Sequence, residues 1–305
     1  MLSFDKFRRR EEALSRQRFE DQPMKVISTI AGLRAALKDE RRKGRTIGLV
    51  PTMGYLHIGH LTLVRHSRKS CDVTVASIFV NPTQFGPNED LATYPRDLDR
   101  DLKLLEAEGV DYVFTPDVSE IYRPGTETIV ETTHLSRILI GRLRPGHFRG
   151  VTTVVTKLFN IVQPDRAFFG EKDYQQLAII RRMVADLDVP VEIVGVPTVR
   201  EADGLACSSR NALLTPEDRE AAPVLSKALD AAQGLAAGGE RSVVALRRVI
   251  VDVLKAEPRG FVEAVDIRDA ADLSKVAGKF TKPVVVLLTV RFGKVRLIDQ
   301  RVIKI

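Results

Sequence analysis

Thr46-Ile47-Gly48-Leu49-Val50-Pro51-Thr52-Met53-Gly54-Tyr55-Leu56-His57-Ile58-Gly59-His60, followed by residues 61–69, decides how this chain is read. Residues 46–50 are an apolar run of the length of a buried strand, and residues 61–69 are amphipathic at helical spacing. The loop between them carries Gly54, Gly59 and two histidines. Free N–H groups and the helix dipole at such a junction favour an anion. His57 and His60, three residues apart, share one helical face and can meet the same phosphate. The alternative for such a pair is a helix cap or a solvated couple. The two flanking glycines, which permit close backbone approach, favour the phosphate.

Strand and helix patterns alternate outward from this junction. Residues 24–27 read as a short strand and 30–43 as a helix stopped by Gly44. Residues 73–80 read as a strand, 97–108 as a helix stopped by Gly109, and 111–114 as a strand. A helix over 150–162, a strand over 165–169, a helix over 174–186 and a strand over 191–196 continue the series. Such alternation predicts an α/β fold, a Rossmann-like doubly wound parallel sheet. After about residue 199 the pattern changes. Thr215-Pro216-Glu217-Asp218 is a helix start, and one long alanine-rich helix is expected up to Gly238-Gly239. A second helix to about residue 256 follows, then strands over 261–267, 284–290 and 295–298 with a hairpin turn at Arg291-Phe292-Gly293-Lys294. The expected organisation is a mobile extension over 1–23, a nucleotide-binding unit over 24–198 and a smaller C-terminal α+β lid domain over 199–305.

Bulk properties narrow the class. The 305 residues are 44% hydrophobic and 29% charged, as in a soluble globular protein. No apolar run reaches the roughly 20 residues of a membrane-spanning helix. The net charge of +7 is spread along the chain, Trp is absent, and no arginine stripe interleaves with aromatics. No nucleic-acid partner and no membrane are therefore expected. Cys71 and Cys207, the two cysteines, lack the spacing of a zinc or disulfide scaffold and suit a reducing cytoplasm. The extension has no signal-peptide apolar core.

GxxxxGK[ST], GxGxxG and HExxH are all missing, so neither a P-loop, a dinucleotide fold nor a metalloprotease is supported, and no metal ligand set is assigned. Gly170-Glu171-Lys172-Asp173 is a strand-to-helix turn whose lysine can neutralise a phosphate, or an exposed turn of local ion pairs. Gln176 lies one helical turn further on. Ser208-Ser209-Arg210 is either a phosphate clamp or an ordinary hinge. Asn81 and Gln84 offer neutral amides to a small polar substrate, or cap a turn. His147 is open between an anion-binding loop and a structural turn.

Six segments in order, PTMGYLHIGH (51–60), SIFVNPTQF (77–85), YPRDLDRD (94–101), RPGHFRGV (144–151), FFGEKDYQQL (168–177) and VPTVREADGLACSSRN (196–211), resemble the pantoate–β-alanine ligases of the HIGH-motif nucleotidyltransferase superfamily. HxGH alone is shared by many adenylyl- and cytidylyltransferases; its company here is specific. The resemblance implies ATP-dependent condensation of pantoate with β-alanine through a pantoyl adenylate, releasing AMP and pyrophosphate. It implies that Met53, Gly54, Tyr55, Leu56, His57, Ile58, Gly59 and His60 form the first part of an ATP site. Gly170, Glu171, Lys172 and Asp173 would form the second part, with His60, His57 and Lys172 catalytic. Val199, Cys207, Ser208, Ser209 and Arg210 would complete it. Gln84 and Gln176 would hold pantoate, with Gln84 also near β-alanine. Mg²⁺ would ride on the ATP phosphates, and the protein would be a cytoplasmic homodimer. Cys207 departs from the family pattern, where Met is common, and the extension has no counterpart.

Overall fold

The computed structural model describes residues 23–305 other than Asn88 and Asp90. The extension expected over 1–23 therefore lies, but for Pro23, outside the described residues. The first sheet contains β1 (Lys25–Ile27), β2 (Ile47–Thr52), β3 (Val73–Ile78), β4 (Tyr112–Phe114), β5 (Arg166–Gly170) and β6 (Glu192–Val196). Their order is β1-β4-β3-β2-β5-β6, every pair parallel, as the strand–helix alternation requires.

Helices cover both faces, and the two-residue period of the strands assigns side chains between them. On one face Ile47, Leu49, Val73 and Val75 pack under α1 (Ile30–Arg42), α4 (His147–Val162) and α5 (Tyr174–Asp186). On the other, Val50, Ala76, Val113 and Phe168 pack under α2 (Ile58–Ser70) and α3 (Leu98–Ala107). Gly48 is what lets α2 lie close to β2: a Cβ there would collide with the Ser67 hydroxyl and come within 3.1 Å of Cys71 Sγ. The helix bearing the second histidine is thus held against the strand that precedes it.

The second sheet is antiparallel, β7 (Gly260–Asp269), β8 (Val284–Phe292) and β9 (Val295–Ile303) in that order. Its apolar face, including Val265, Val286, Leu288 and Leu297, packs on α7 (Val224–Ala237) and α8 (Val243–Lys255). The single alanine-rich helix expected here is broken. α6 (Pro216–Ala221) starts on its Thr215 cap, whose hydroxyl accepts from the Asp218 N–H at 3.2 Å, and the chain restarts at Pro223. A proline inside a helix removes a donor and clashes with the preceding turn. The hairpin turn is also tighter than expected: Arg291 and Phe292 continue β8, and β9 runs to Ile303. α4 begins at His147, three residues before the expected start, with Gly146 in the left-handed region at φ 84°. No helix among the described residues is long and apolar enough to cross a membrane.

Candidate active site

In the first sheet the chain runs from β2 to β3 on one side of β2, whereas β5 adds on the other. Ligands of open α/β sheets sit in the crevice outside the carboxyl ends of the strands at such a switch point. β2 ends in the histidine loop and β5 in Gly170-Glu171-Lys172-Asp173, so both segments border one crevice.

The two histidines cap their own helix. His57 Nδ1 accepts from the Gly59 N–H at 3.1 Å, and His60 Nδ1 accepts from the His57 N–H at 3.3 Å. An imidazole that accepts at Nδ1 and stays neutral carries its proton on Nε2. Both rings, with centroids 4.1 Å apart, are therefore held as Nε2–H donors. Burial, then the Lys172 charge, lowers the His57 pKa to about 4. Burial, then His57 and Lys172, pushes that of His60 well below the ordinary histidine value. Capping occupies only Nδ1 of each ring, so it is compatible with donation from Nε2 to an anion.

The expectation of free backbone N–H groups needs correction. Tyr55 and Leu56 donate to the two Asp101 oxygens at 2.6 and 2.7 Å, and Gly54 donates to Thr52 Oγ1 at 3.3 Å. With His57 and Gly59 serving the caps, most main-chain donors of the loop are committed to the protein. Any anion here meets side chains first. Asp101 pins Tyr55 in the left-handed region, at φ 50°, and Arg100 lies over the Tyr55 ring at 5.4 Å. Sequence reasoning missed Asp101. Its signal was a carboxylate one turn before Leu105 on the buried face of α3, and burial raises its pKa despite the two N–H bonds.

A cavity of about 240 Å³ is lined by Met53, His57, Gly59, His60, Gly170, Lys172, Asp173, Val199, Cys207, Ser208, Ser209 and Arg210, with Gln84 and Gln176. A second, of about 640 Å³, opens toward β8 and β9 and shares Lys172, Gln176, Ser208 and Arg210 with the first. Gly54, Tyr55, Leu56, Ile58 and Glu171 line neither. Leu56 is core, Ile58 is exposed, and Tyr55 contributes its N–H to Asp101. Lys172 is largely buried, its Nζ 4.0 Å from Asp173 Oδ2. Val199 holds the loop by accepting from the Cys207 N–H at 2.9 Å. Ser208 Oγ accepts from the Arg210 N–H at 3.3 Å, and Ser209 Oγ lies 3.3 Å from the Tyr94 hydroxyl, a contact not foreseen. The Cys207 thiol is buried, which raises its pKa.

The amides separate into structural and cavity-facing ones. Asn81 Oδ1 accepts from Thr83 and the Tyr122 hydroxyl, while its Nδ2 donates to the Gly150 carbonyl and to Gln84 Oε1, each at 3.1 Å. Asn81 also borders the 240 Å³ cavity, but both ends of its amide are engaged within the protein. Its donation turns the Gln84 amide so that Nε2 donates to Met53 Sδ, at 3.0 Å, and both residues line the cavity. Gln175 is likewise saturated by Ile140, Leu135 and Ile138, whereas its neighbour Gln176 lines both cavities. His147, left open by the sequence, donates from Nδ1 to the Gln84 carbonyl at 2.8 Å and accepts at Nε2 from Arg144 at 3.1 Å. Burial, then Arg144, lowers its pKa to about 4. Among the described residues no group of three or more His, Cys, Asp and Glu converges on a metal site.

These buried imidazoles give a pH signature. In the unfolded chain they take protons near pH 6.5; folded, His57 and His147 do so near 4. Between those values the unfolded state binds more protons, so stability falls on acidification from about pH 6.5 to 4, by at most about 3 kcal/mol per group. Asp101 and Asp111, whose pKa values are raised by burial, act in the opposite sense from the carboxylate range upward. The melting temperature is expected to drop between pH 7 and 5 in calorimetry; a flat profile would contradict the neutral buried rings.

Residues 25–302 match the family model described as pantoate-beta-alanine ligase. The chain is similar to the pantothenate synthetase of Bartonella henselae, 58% identical over 281 residues, which are 92% of this chain and 99% of that protein. That of Rhizobium meliloti is 58% identical over 280 residues, 92% of this chain and 96% of the relative. Among solved structures, pantothenate synthetase from Thermus thermophilus superposes with a TM-score of 0.87 at 49% identity, covering 91% of this chain and 99% of that one. Pantoate-beta-alanine ligase from Francisella tularensis, complexed with beta-gamma ATP and beta-alanine, gives 0.74 at 34% identity, covering 91% and 97%.

Proposed function

The chain belongs to the pantoate-beta-alanine ligase family, and from that premise we propose that it joins pantoate to β-alanine in two steps on ATP. A pantoate carboxylate oxygen attacks the α-phosphorus, the bond from that phosphorus to the bridging oxygen breaks, and pyrophosphate leaves. The β-alanine amine then attacks the acyl carbon of pantoyl adenylate, the acyl–oxygen bond breaks, AMP leaves, and the nitrogen gives up its proton.

The observation that carries this reading is the convergence of two Nε2–H imidazoles and Lys172 on the crevice that also receives the Gln84 amide. Donors fixed before the reaction stabilise charge developing on the phosphates without reorganisation. Neutral imidazoles donate without drawing off the attacking carboxylate, and Lys172 supplies the positive charge. Ser208, Ser209 and Arg210 close on the phosphates, Val199 borders the adenine, and Cys207 contacts ATP partly through its backbone. Gln84 and Gln176 bind pantoate and place its carboxylate in line, a contribution of orientation; Gln84 also lies by the β-alanine position. Mg²⁺ enters as substrate, on the nucleotide. We assign the site to residues 24–198 with residues 199–305 as its mobile cover, and infer a cytoplasmic homodimer.

The test measures AMP and pyrophosphate with ATP, pantoate and β-alanine, omitting each in turn. Pyrophosphate is expected with ATP and pantoate alone, and AMP with pantothenate only after β-alanine is added. Pyrophosphate with a nucleotidyl product that persists when all three substrates are present, and no AMP, would assign the site to a simple nucleotidyltransferase.

A further inference from the structure

We propose that Glu89 is a positioning residue for the acid substrate, acting through Arg144 and His147 on the main chain of Gln84. The inference rests on the reading of Gln84 as a pantoate ligand. Glu89 receives both Arg144 Nε at 2.7 Å and Arg144 Nη2 at 2.5 Å, a forked pair. The other terminal nitrogen, Nη1, donates to His147 Nε2, and His147 Nδ1 donates to the Gln84 carbonyl. Arg144 and Glu89 are both mostly buried, and Arg144 lines both cavities.

Each link sets the next. The guanidinium has only donors, so it forces His147 Nε2 to accept, and a neutral ring that accepts at Nε2 carries its proton on Nδ1. That proton is the one Gln84 receives. Take Glu89 away and Arg144, a cation beside an anion-binding cavity, is released from its fork. His147 is then free to shift its proton to Nε2, and the Gln84 carbonyl loses both the His147 proton and the longer bond that Arg144 Nη2 donates to it at 3.4 Å. Burial works to raise the Glu89 carboxyl, and the Arg144 fork overrides it, holding the pKa at about 2. The relay is therefore charged throughout the neutral range. Gln84 has little slack to absorb its loss, because Gly150 of α4 is packed so closely on the Thr83 and Gln84 backbone that a Cβ would collide with both.

The test is steady-state kinetics of the full chain carrying Glu89→Gln, Glu89→Asp, His147→Asn and the double substitution Glu89→Gln with His147→Asn. Glu89→Gln is expected to raise KM for pantoate about fivefold or more, with KM for ATP changed by less than about twofold. Glu89→Asp, which keeps the charge, is expected to recover most of the loss. Residues of one relay are non-additive, so the double variant should be no worse than the more affected single one. An unchanged KM for pantoate, an equal rise in KM for ATP, or multiplying effects in the double variant would overturn the proposal. Should His147→Asn not fold, the Gln and Asp variants at position 89 decide alone. Failure of the Gln84 reading would look different: Gln84→Ala would leave the KM for pantoate unchanged.

Discussion

His60→Ala is expected to reduce pantothenate synthesis by about a thousandfold, the upper range for removing one fixed donor to a developing oxyanion. Two losses combine. The Nε2–H of a ring that lines the cavity disappears, and so does the Nδ1 acceptor that holds the His57 N–H. The second loss is a helix cap, worth about 1 kcal/mol, so the protein should remain folded. His60→Asn separates the two. Its side-chain oxygen reaches about as far as Nδ1 and can keep the cap, but nothing replaces Nε2–H. The asparagine variant is therefore expected to melt close to the unsubstituted protein and still lose most of its turnover. Near-normal turnover by either variant would remove His60 from the chemistry and leave it a cap.

The sheet was legible because β2, its loop and α2 are each written locally: an apolar run, glycines, then an amphipathic stretch. The crevice followed from the same strand–helix order, since β2 and β5 both end in polar loops. What stayed hidden is nonlocal. The loop's backbone donors were expected to face a ligand, but the carboxylate that takes two of them belongs to Asp101, on α3. Nothing in residues 51–60 announces that partner. Asn81 and Gln84 looked alike as amides, and only the contacts from Thr83, Tyr122 and Gly150 show that one is structural and orients the other. The tautomers of His57, His60 and His147 are similarly set by who bonds each ring nitrogen. By contrast, the break at Pro223 is local and needs no distant partner, since a proline ends the helix that precedes it.

Lys172→Ala is expected to lower pantoate-dependent pyrophosphate release by about a hundredfold, and to slow the second step much less. Lys172 sits in the turn after β5, its ammonium largely buried and shared between the two cavities. Its charge reaches the imidazoles and adds to burial in lowering the pKa of both His57 and His60. In the proposed reaction that ammonium would meet the same phosphates as the imidazoles, with charge building there chiefly as pyrophosphate departs. Aminolysis of preformed pantoyl adenylate expels only AMP and needs that charge less. The measurement is pyrophosphate release with ATP and pantoate, set against pantothenate formed from added pantoyl adenylate and β-alanine. A parallel readout is the His57 titration by NMR. Removing the neighbouring cation should raise its pKa from about 4, though not to the ordinary value, because burial is the larger cause. Equal losses in both half-reactions would mean that Lys172 holds the turn rather than the phosphates. An intact first half-reaction would mean that Ser208, Ser209 and Arg210 carry the pyrophosphate without it.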